Sequence, residues 1–237
     1  MDFSVRNFAT LEIFGIEVWI TETLVNMWIV MAIMIGLAIV IRIKLYLNKK
    51  ADPDAYINNP KGLQNVIETI VETFDGFVRK TAGDRLAYLG HWFFTVFFFI
   101  LFSNFSGILL RPPTADWTVT FAMALATFIL IQAMGLKYRP KAYLKSFFQP
   151  IFLFFPLNVI GELARPVSLS FRLFGNILGG AIILGLIYGI APVVARFIFP
   201  VALHIYFDLA MGFLQTYIFT VLSLSFIGSM AGTNESV

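Results

Sequence analysis

Five apolar segments dominate the pattern of hydrophobic and polar positions along the chain. Uncharged runs cover residues 23–41, 86–110 and 117–136, and two longer apolar blocks cover residues 146–188 and 193–230. An α-helix needs about 20 apolar residues to cross a bilayer, so the first three runs predict ordinary spans. A helix over residues 193–230 would be about 57 Å long, against a hydrocarbon core of about 30 Å. The last two helices are therefore predicted to be long and steeply tilted.

A segment between the first two spans has the period of an amphipathic helix. From about residue 62 to 80, one face is apolar and the opposite face carries polar residues such as Glu68 and Asp75. Because two spans flank it on the same side, we predict a helix on the cytoplasmic membrane surface, with a soluble helix packed on a partner as the alternative. Gly62 is its predicted start and Gly83 its predicted end.

The composition supports an all-α integral membrane protein with about five membrane-crossing helices. Hydrophobic residues make up 59% of the chain and charged residues only 13%, too few to cover a water-facing surface. Eight of the 17 basic residues lie within residues 42–85 and four more within 137–145. These loops are predicted to be cytoplasmic, which places the N-terminus outside and the C-terminus inside a multi-pass protein of the cell inner (plasma) membrane. The lack of cysteine excludes thiolate metal sites.

The polar residues inside the predicted membrane segments are concentrated in the last third of the chain. We therefore divide the chain into an external N-terminal tail over residues 1–22, a scaffold over 23–145 and an ion-path region over 146–237. The scaffold holds the first three spans and the surface helix. The ion-path region holds the two long helices and the C-terminal tail.

Arg172 is the strongest candidate for a functional residue. No lysine, arginine or acid follows it until after Ala195, and an arginine near mid-bilayer costs roughly 2.5–3.5 kcal/mol on insertion scales. Ser168 and Asn176 share its helix face at i−4 and i+4. Either Arg172 forms an ion pair with Asp208 in its own chain, or it has a function that requires an unpaired cation.

Polar residues in the two long helices predict two access paths for an ion. On an α-helix, His204, Asp208 and Gln215 fall within about 20° of one line, which is typical of a water path open to the outer side. A surface histidine and an interfacial aspartate are the alternative. On the cytoplasmic side of Arg172 lie Asn158 and Glu162, candidates for an inner path, although an ion pair between Glu162 and Arg165 explains those two charges equally well.

A resemblance makes this interpretation specific. The string Arg165-Pro166-Val167-Ser168-Leu169-Ser170-Phe171-Arg172-Leu173-Phe174-Gly175-Asn176, together with Gln215-Thr216-Tyr217-Ile218-Phe219 and Pro-Thr-Ala-Asp-Trp at 113–117, resembles the subunit a family of F-type ATP synthases. The resemblance covers essentially the whole chain, and its sharpest part is Arg-Leu-Phe-Gly-Asn with the distant glutamine.

The resemblance implies a stator subunit that provides two offset half-channels beside a ring of c subunits. Arg172 would face the rotor carboxylate, with Gln215 opposite it and Asn176 one turn on. The outer path would contain Asp208, His204 and Gln215, and the inner path Glu162, Asn158 and Ser168. Ala181 departs from many members, in which a glutamate follows the arginine by nine residues. We hypothesise that Asp208 supplies this acid from the facing helix.

The family also implies the partners: the c-subunit ring, the b-subunit peripheral stalk, the remainder of the ATP synthase and membrane lipid, but no nucleic acid. The chain has no nucleotide-binding motif, so we expect no enzyme activity from this subunit alone, no metal and no cofactor beyond the translocated H+ or Na+. A self-contained ion transporter or channel is the alternative. A purely structural anchor would leave Arg172 and the polar stripe unexplained.

Overall fold

The computed structural model describes residues 7–13, 15–51, 62–108, 110–190, 203 and 205–233. The described part begins with an antiparallel β-hairpin, β1 (Asn7–Ile13) and β2 (Ile16–Thr21). Gly15 in the connection has φ 77°, a conformation that favours glycine. The hairpin was not predicted, although polar and apolar residues alternate along the second half of β1, from Thr10 to Ile13, with the period of a strand.

The rest of the described chain is helical, and among its residues five helices are long and apolar enough to cross a membrane. The all-α integral membrane fold is therefore confirmed. The helices, in chain order, are α1 (Glu22–Ala51), α2 (Leu63–Ala82), α3 (Gly90–Phe105), α4 (Trp117–Tyr138), α5 (Pro140–Ser146), α6 (Phe155–Ile190) and α7 (Gly212–Ala231). A π-helix, Ile205–Met211, leads directly into α7.

Helix α2 begins after Gly62 and ends at Gly83, as predicted. Its C-terminal half packs inside the protein: the Phe74 ring lies 5.2 Å from Phe94 on α3, and the Phe77 ring lies 5.8 Å from Tyr217 on α7. Its N-terminal half leaves four large apolar side chains exposed, namely Leu63, Val66, Ile70 and Val71. An exposed apolar stripe of this kind suits contact with lipid.

Helix α6 is 36 residues long and continues through Pro166 without ending. Its length of about 54 Å exceeds the hydrocarbon core of about 30 Å, so it must tilt steeply if it lies wholly within the bilayer. Leu169 and Leu173 anchor its middle, because they are buried together with Phe219 of α7, Ile100 of α3 and Ala124 of α4. The packing fixes the orientation of α6 about its own axis.

The end of α7 is attached to the junction between α2 and α3. Thr233 Oγ1 donates to the carbonyl of Ala82 at 2.5 Å and to that of Gly228 at 3.1 Å. Gly83 has φ 88° and ψ 157°, and a Cβ built there would lie 2.8 Å from Thr233 Cβ. Only glycine allows both this backbone conformation and this close approach.

We expect Gly83→Ala to destabilise the protein by about 1–3 kcal/mol, because alanine is strained in this conformation. Gly76→Ala is the matched control: Gly76 lies inside α2 with open space around its Cα, so alanine should stabilise the helix by about 0.5–1 kcal/mol. The measurement is thermal unfolding of the detergent-solubilised protein in its complex. Equal unfolding temperatures for the two variants would contradict the role assigned to Gly83.

Candidate functional site

Arg172 lies on α6 with its side chain exposed in the isolated chain. It borders a groove of about 240 Å³ between α6 and α7. No hydrogen bond or ion pair joins Arg172 to another described residue, and in particular none joins it to Asp208. The alternative of an ion pair between Arg172 and Asp208 therefore receives no support. The cation is left available to a group outside this chain.

The groove follows one face of α6 from Gly161 to Arg172. Ser168 lies in it, one turn before Arg172, as expected from their spacing. Its complete lining is Gly161, Ala164, Arg165, Ser168, Leu169, Arg172, Leu222 and Phe226. Arg165, Ser168 and Arg172 are the polar residues of this lining, and the other five are apolar.

Asn176 and Gln215 meet across the interface between α6 and α7. Asn176 Nδ2 donates to Gln215 Oε1. Gln215 is only 2% exposed, and its Nε2 has no hydrogen-bond partner among the described residues. Two residues predicted from the sequence are thus brought together, one turn beyond Arg172 along α6. The bond of Gln215 is to Asn176 and not to Arg172.

Asp208 is half-buried and lies in the π-helix. Here the predicted polar stripe is wrong in detail, because it assumed 100° per residue throughout. A π-helix bonds i to i+5 and so turns through less than 100° per residue, which rotates Asp208 away from the line through Gln215. His204 lies outside the described residues.

The π-helix and the facing part of α6 are nevertheless in close contact near Asp208. A Cβ built on Gly180 would lie 3.1 Å from the ring of Phe207. Since Asp208 follows Phe207 and Ala181 follows Gly180, Asp208 and Ala181 lie at about the same level of the two helices. That Asp208 supplies the outer-path acid in place of residue 181 stays a prediction.

The start of α7 is held by a buried network that the sequence analysis missed. Asn104 Nδ2 donates to the carbonyl of Gly212 at 3.0 Å, and Asn104 Oδ1 accepts from Thr114 Oγ1 at 2.8 Å. Thr216 Oγ1 also donates to the Gly212 carbonyl, at 2.8 Å. The sequence feature that could have revealed this network is Asn104, an amide side chain in the otherwise apolar sequence of α3. The network fixes the point at which the π-helix ends.

Glu162 and Arg165 form an ion pair with an N to O distance of 2.9 Å. The structure thus contains the ion pair that was one of the two sequence interpretations. Glu162 also accepts a hydrogen bond from Gln132 Nε2 on α4 at 3.2 Å, and Gln132 Oε1 accepts one from Tyr143 Oη on α5. The sequence analysis missed Gln132 and Tyr143, although Gln132 is conspicuous as an amide in an apolar span.

Asn158 lies at the start of α6 and binds the loop that precedes it. Its Nδ2 donates to the carbonyls of Phe147 and Gln149, both at 2.9 Å. This amide group therefore closes the connection between α5 and α6. Asn158 is not among the residues that line the groove, and its predicted place in an inner ion path stays a prediction.

Similarity to known proteins identifies the family of this chain. The family described as ATP synthase A chain matches residues 24–228. ATP synthase subunit a of Moorella thermoacetica is 34% identical over 213 residues, which are 89% of this chain and 90% of the relative. The sodium ion specific subunit a of Propionigenium modestum is 35% identical over 193 residues, which are 71% of this chain and 64% of the relative. The chain therefore belongs to the ATP synthase subunit a family.

Proposed function

We propose that this protein is the stator subunit that couples ion flow to rotation of the c-subunit ring, with Arg172 facing the rotor carboxylates. Membership of the family supports an ion-translocating membrane subunit of ATP synthase. The placement of Arg172 opposite the rotor rests on one observation. The Arg172 side chain is exposed at the side of α6 and has no partner among the described residues. We assign a carboxylate of a rotor subunit as the partner of this cation.

The chemistry follows from a fixed positive charge. An opposite charge within about 4–6 Å lowers the pKa of a carboxyl group by 1–3 units. A rotor carboxyl group that reaches Arg172 therefore loses its ion. Because a guanidinium does not deprotonate, Arg172 also repels a cation moving directly between the two paths.

Two paths offset along α6 are consistent with the packing. The groove along residues 161–172 of α6 reaches Arg172 and contains Ser168. In this proposal its Gly161 end faces the cytoplasm, with Glu162 and Asn158 at the entrance. The outer path would be formed on the other side of Arg172 by Asp208, His204 and the buried Gln215. Ions would enter by one path, travel with the rotor and leave by the other.

The remaining partners and the orientation follow from the family and the charge distribution. The b-subunit stalk would hold this subunit against the ring, and the catalytic subunits would form ATP elsewhere. The concentration of basic residues in two loops supports an N-terminus outside and a C-terminus in the cytoplasm. The translocated ion is H+ or Na+, and it is cargo rather than a cofactor.

Cysteine cross-linking tests the contact with the ring directly, since the chain has no cysteine of its own. A cysteine at Gly175, which is exposed with open space around it and lies within one turn of Arg172, should form a disulfide with a cysteine placed beside the rotor carboxyl. Ile129→Cys on α4 is the control. Ile129 is 60% exposed but lies opposite the face of α4 that packs on α6 and α7.

The expected product is a dimer of subunits a and c with the Gly175 variant and none with the Ile129 variant. Equal cross-linking from both positions, or from neither, would contradict the proposed interface. Coupled ion transport by this subunit reconstituted without the ring would instead support the self-contained transporter.

A further inference from the structure

Arg165 is a second arginine in the groove that ends at Arg172. The two residues are seven apart on α6, which corresponds to about 10 Å along the helix axis. The side chain of Arg165 is 28% exposed, and its Nη1 is buried without a hydrogen-bond acceptor in the described part of the chain. Its guanidinium also lies 5.1 Å from the ring centre of Phe226, another residue of the groove. Arg165 is thus held at the groove wall.

Glu162 provides the opposite charge. Its side chain is 15% exposed, and each of its carboxylate oxygens has a partner: Oε1 is bound by Arg165 and Oε2 by Gln132. Both oxygens are therefore already engaged by the protein. A carboxylate in this state is poorly suited to pick up and release a passing ion, but it is well suited to neutralise a neighbouring cation.

Gln132 and Tyr143 determine where Glu162 lies. Gln132 comes from α4 and Tyr143 from α5, so the chain of hydrogen bonds connects three helices. Burial raises the pKa of Tyr143, and the charge of Glu162 adds to this effect. Tyr143 therefore stays protonated and donates its hydrogen bond throughout the physiological pH range.

We propose that Glu162 acts as the counter-charge of Arg165, positioned by Gln132 and Tyr143, so that the inner groove presents to the ion only the charge of Arg172. This inference rests on the proposed function and assigns Glu162 an electrostatic role instead of an ion-carrying one. Without the carboxylate, a second uncompensated positive charge within about 10 Å would slow a passing cation by about tenfold at an effective dielectric constant of about 20.

The test is a cycle of variants in the assembled ATP synthase, measured as ATP-driven ion uptake by inverted membrane vesicles. Glu162→Gln keeps the size of the side chain but removes its charge and replaces one of the two acceptor oxygens by an amide donor. We expect it to lower uptake about tenfold. Adding Arg165→Gln removes the uncompensated charge and should restore most of the uptake. An ion-carrying Glu162 predicts the opposite, since the double variant would be as inactive as the single one.

The positioning roles of Gln132 and Tyr143 are tested by whether their effect on uptake requires the Glu162–Arg165 ion pair. Tyr143→Phe and Gln132→Met leave both charges in place and are expected to lower uptake about threefold, and this loss should disappear in the Glu162→Gln, Arg165→Gln background. A purely structural role would lower uptake in both backgrounds. If Glu162→Gln alone prevents assembly, the double variant still decides the question. Uptake close to that of the unchanged protein supports the counter-charge role, and loss of uptake overturns it.

Three results would overturn the inference: full uptake with Glu162→Gln, no recovery in the double variant, or an equal loss from Tyr143→Phe in both backgrounds. The amount of this subunit retained in the purified complex serves as the assembly control. A failure of the stator proposal can be told apart from a failure of this inference. It would appear as normal uptake in Arg172 variants, and none of the variants used here changes Arg172.

Discussion

Arg172→Ala is expected to abolish ion-driven ATP synthesis in membranes that contain the assembled complex. The cation would no longer lower the pKa of the rotor carboxyl group, and a change of 1–3 units alters the ratio of ionised to protonated carboxyl groups by about 10- to 1000-fold. The same variant should permit some passive ion leak, because the positive barrier between the two paths is gone. Both effects are measured in one vesicle preparation, as the rate of ATP synthesis and the rate of gradient decay.

Arg172→Lys should also be poorly tolerated, although the charge is nominally kept. An ammonium lacks the planar fork of the guanidinium and can deprotonate when it is desolvated. Arg79→Ala is the matched control, since Arg79 is exposed and its ion pairs with Asp75 and Asp84 lie in solvent, where such pairs contribute little. Normal ATP synthesis with Arg172→Ala would rule out the mechanism.

Asp208→Asn is expected to lower ion flux by about 10²-fold, which is typical of the loss of a positioned proton-transfer group. Ala181→Glu should restore part of the flux in this background, because Ala181 lies at the level of Asp208 across the contact of Gly180 with Phe207. The measurement is ATP-driven uptake in Na+-containing and Na+-free media. The two media also distinguish H+ from Na+ as the translocated ion.

Ala181→Gln in the Asp208→Asn background is the control for this rescue. Glutamine has almost the size of glutamate but carries no carboxyl group, so it should restore nothing. Equal recovery with glutamine would indicate a packing effect. Unchanged flux with Asp208→Asn alone would remove Asp208 from the outer path.

The sequence predicts those features that depend on local spacing. The spans follow from long apolar runs, and the ends of α2 follow from helical periodicity between Gly62 and Gly83. Arg172 is conspicuous because a cation in an apolar run is costly at any position in the bilayer. Each of these inferences uses residues that are neighbours in the chain.

Features that depend on tertiary contacts could not be predicted in the same way. Whether Glu162 is bound by Arg165 or open to water depends on Gln132, which is 30 residues away on another helix. The π-helix at Asp208 depends on how the chain enters α7, where Asn104 binds the Gly212 carbonyl. Spacing rules for a regular α-helix therefore misplace Asp208 relative to Gln215.

The attachment of Thr233 to the α2–α3 junction has a mechanical consequence under the proposed function. A turning rotor pushes sideways on α6 and α7 with a moment equal to the torque it receives. The close contact at Gly83 passes part of this load from α7 into α2. If the exposed apolar side chains of α2 lie in lipid, α2 would widen the contact of this subunit with the membrane and so resist tilting of the stator under the rotor's load.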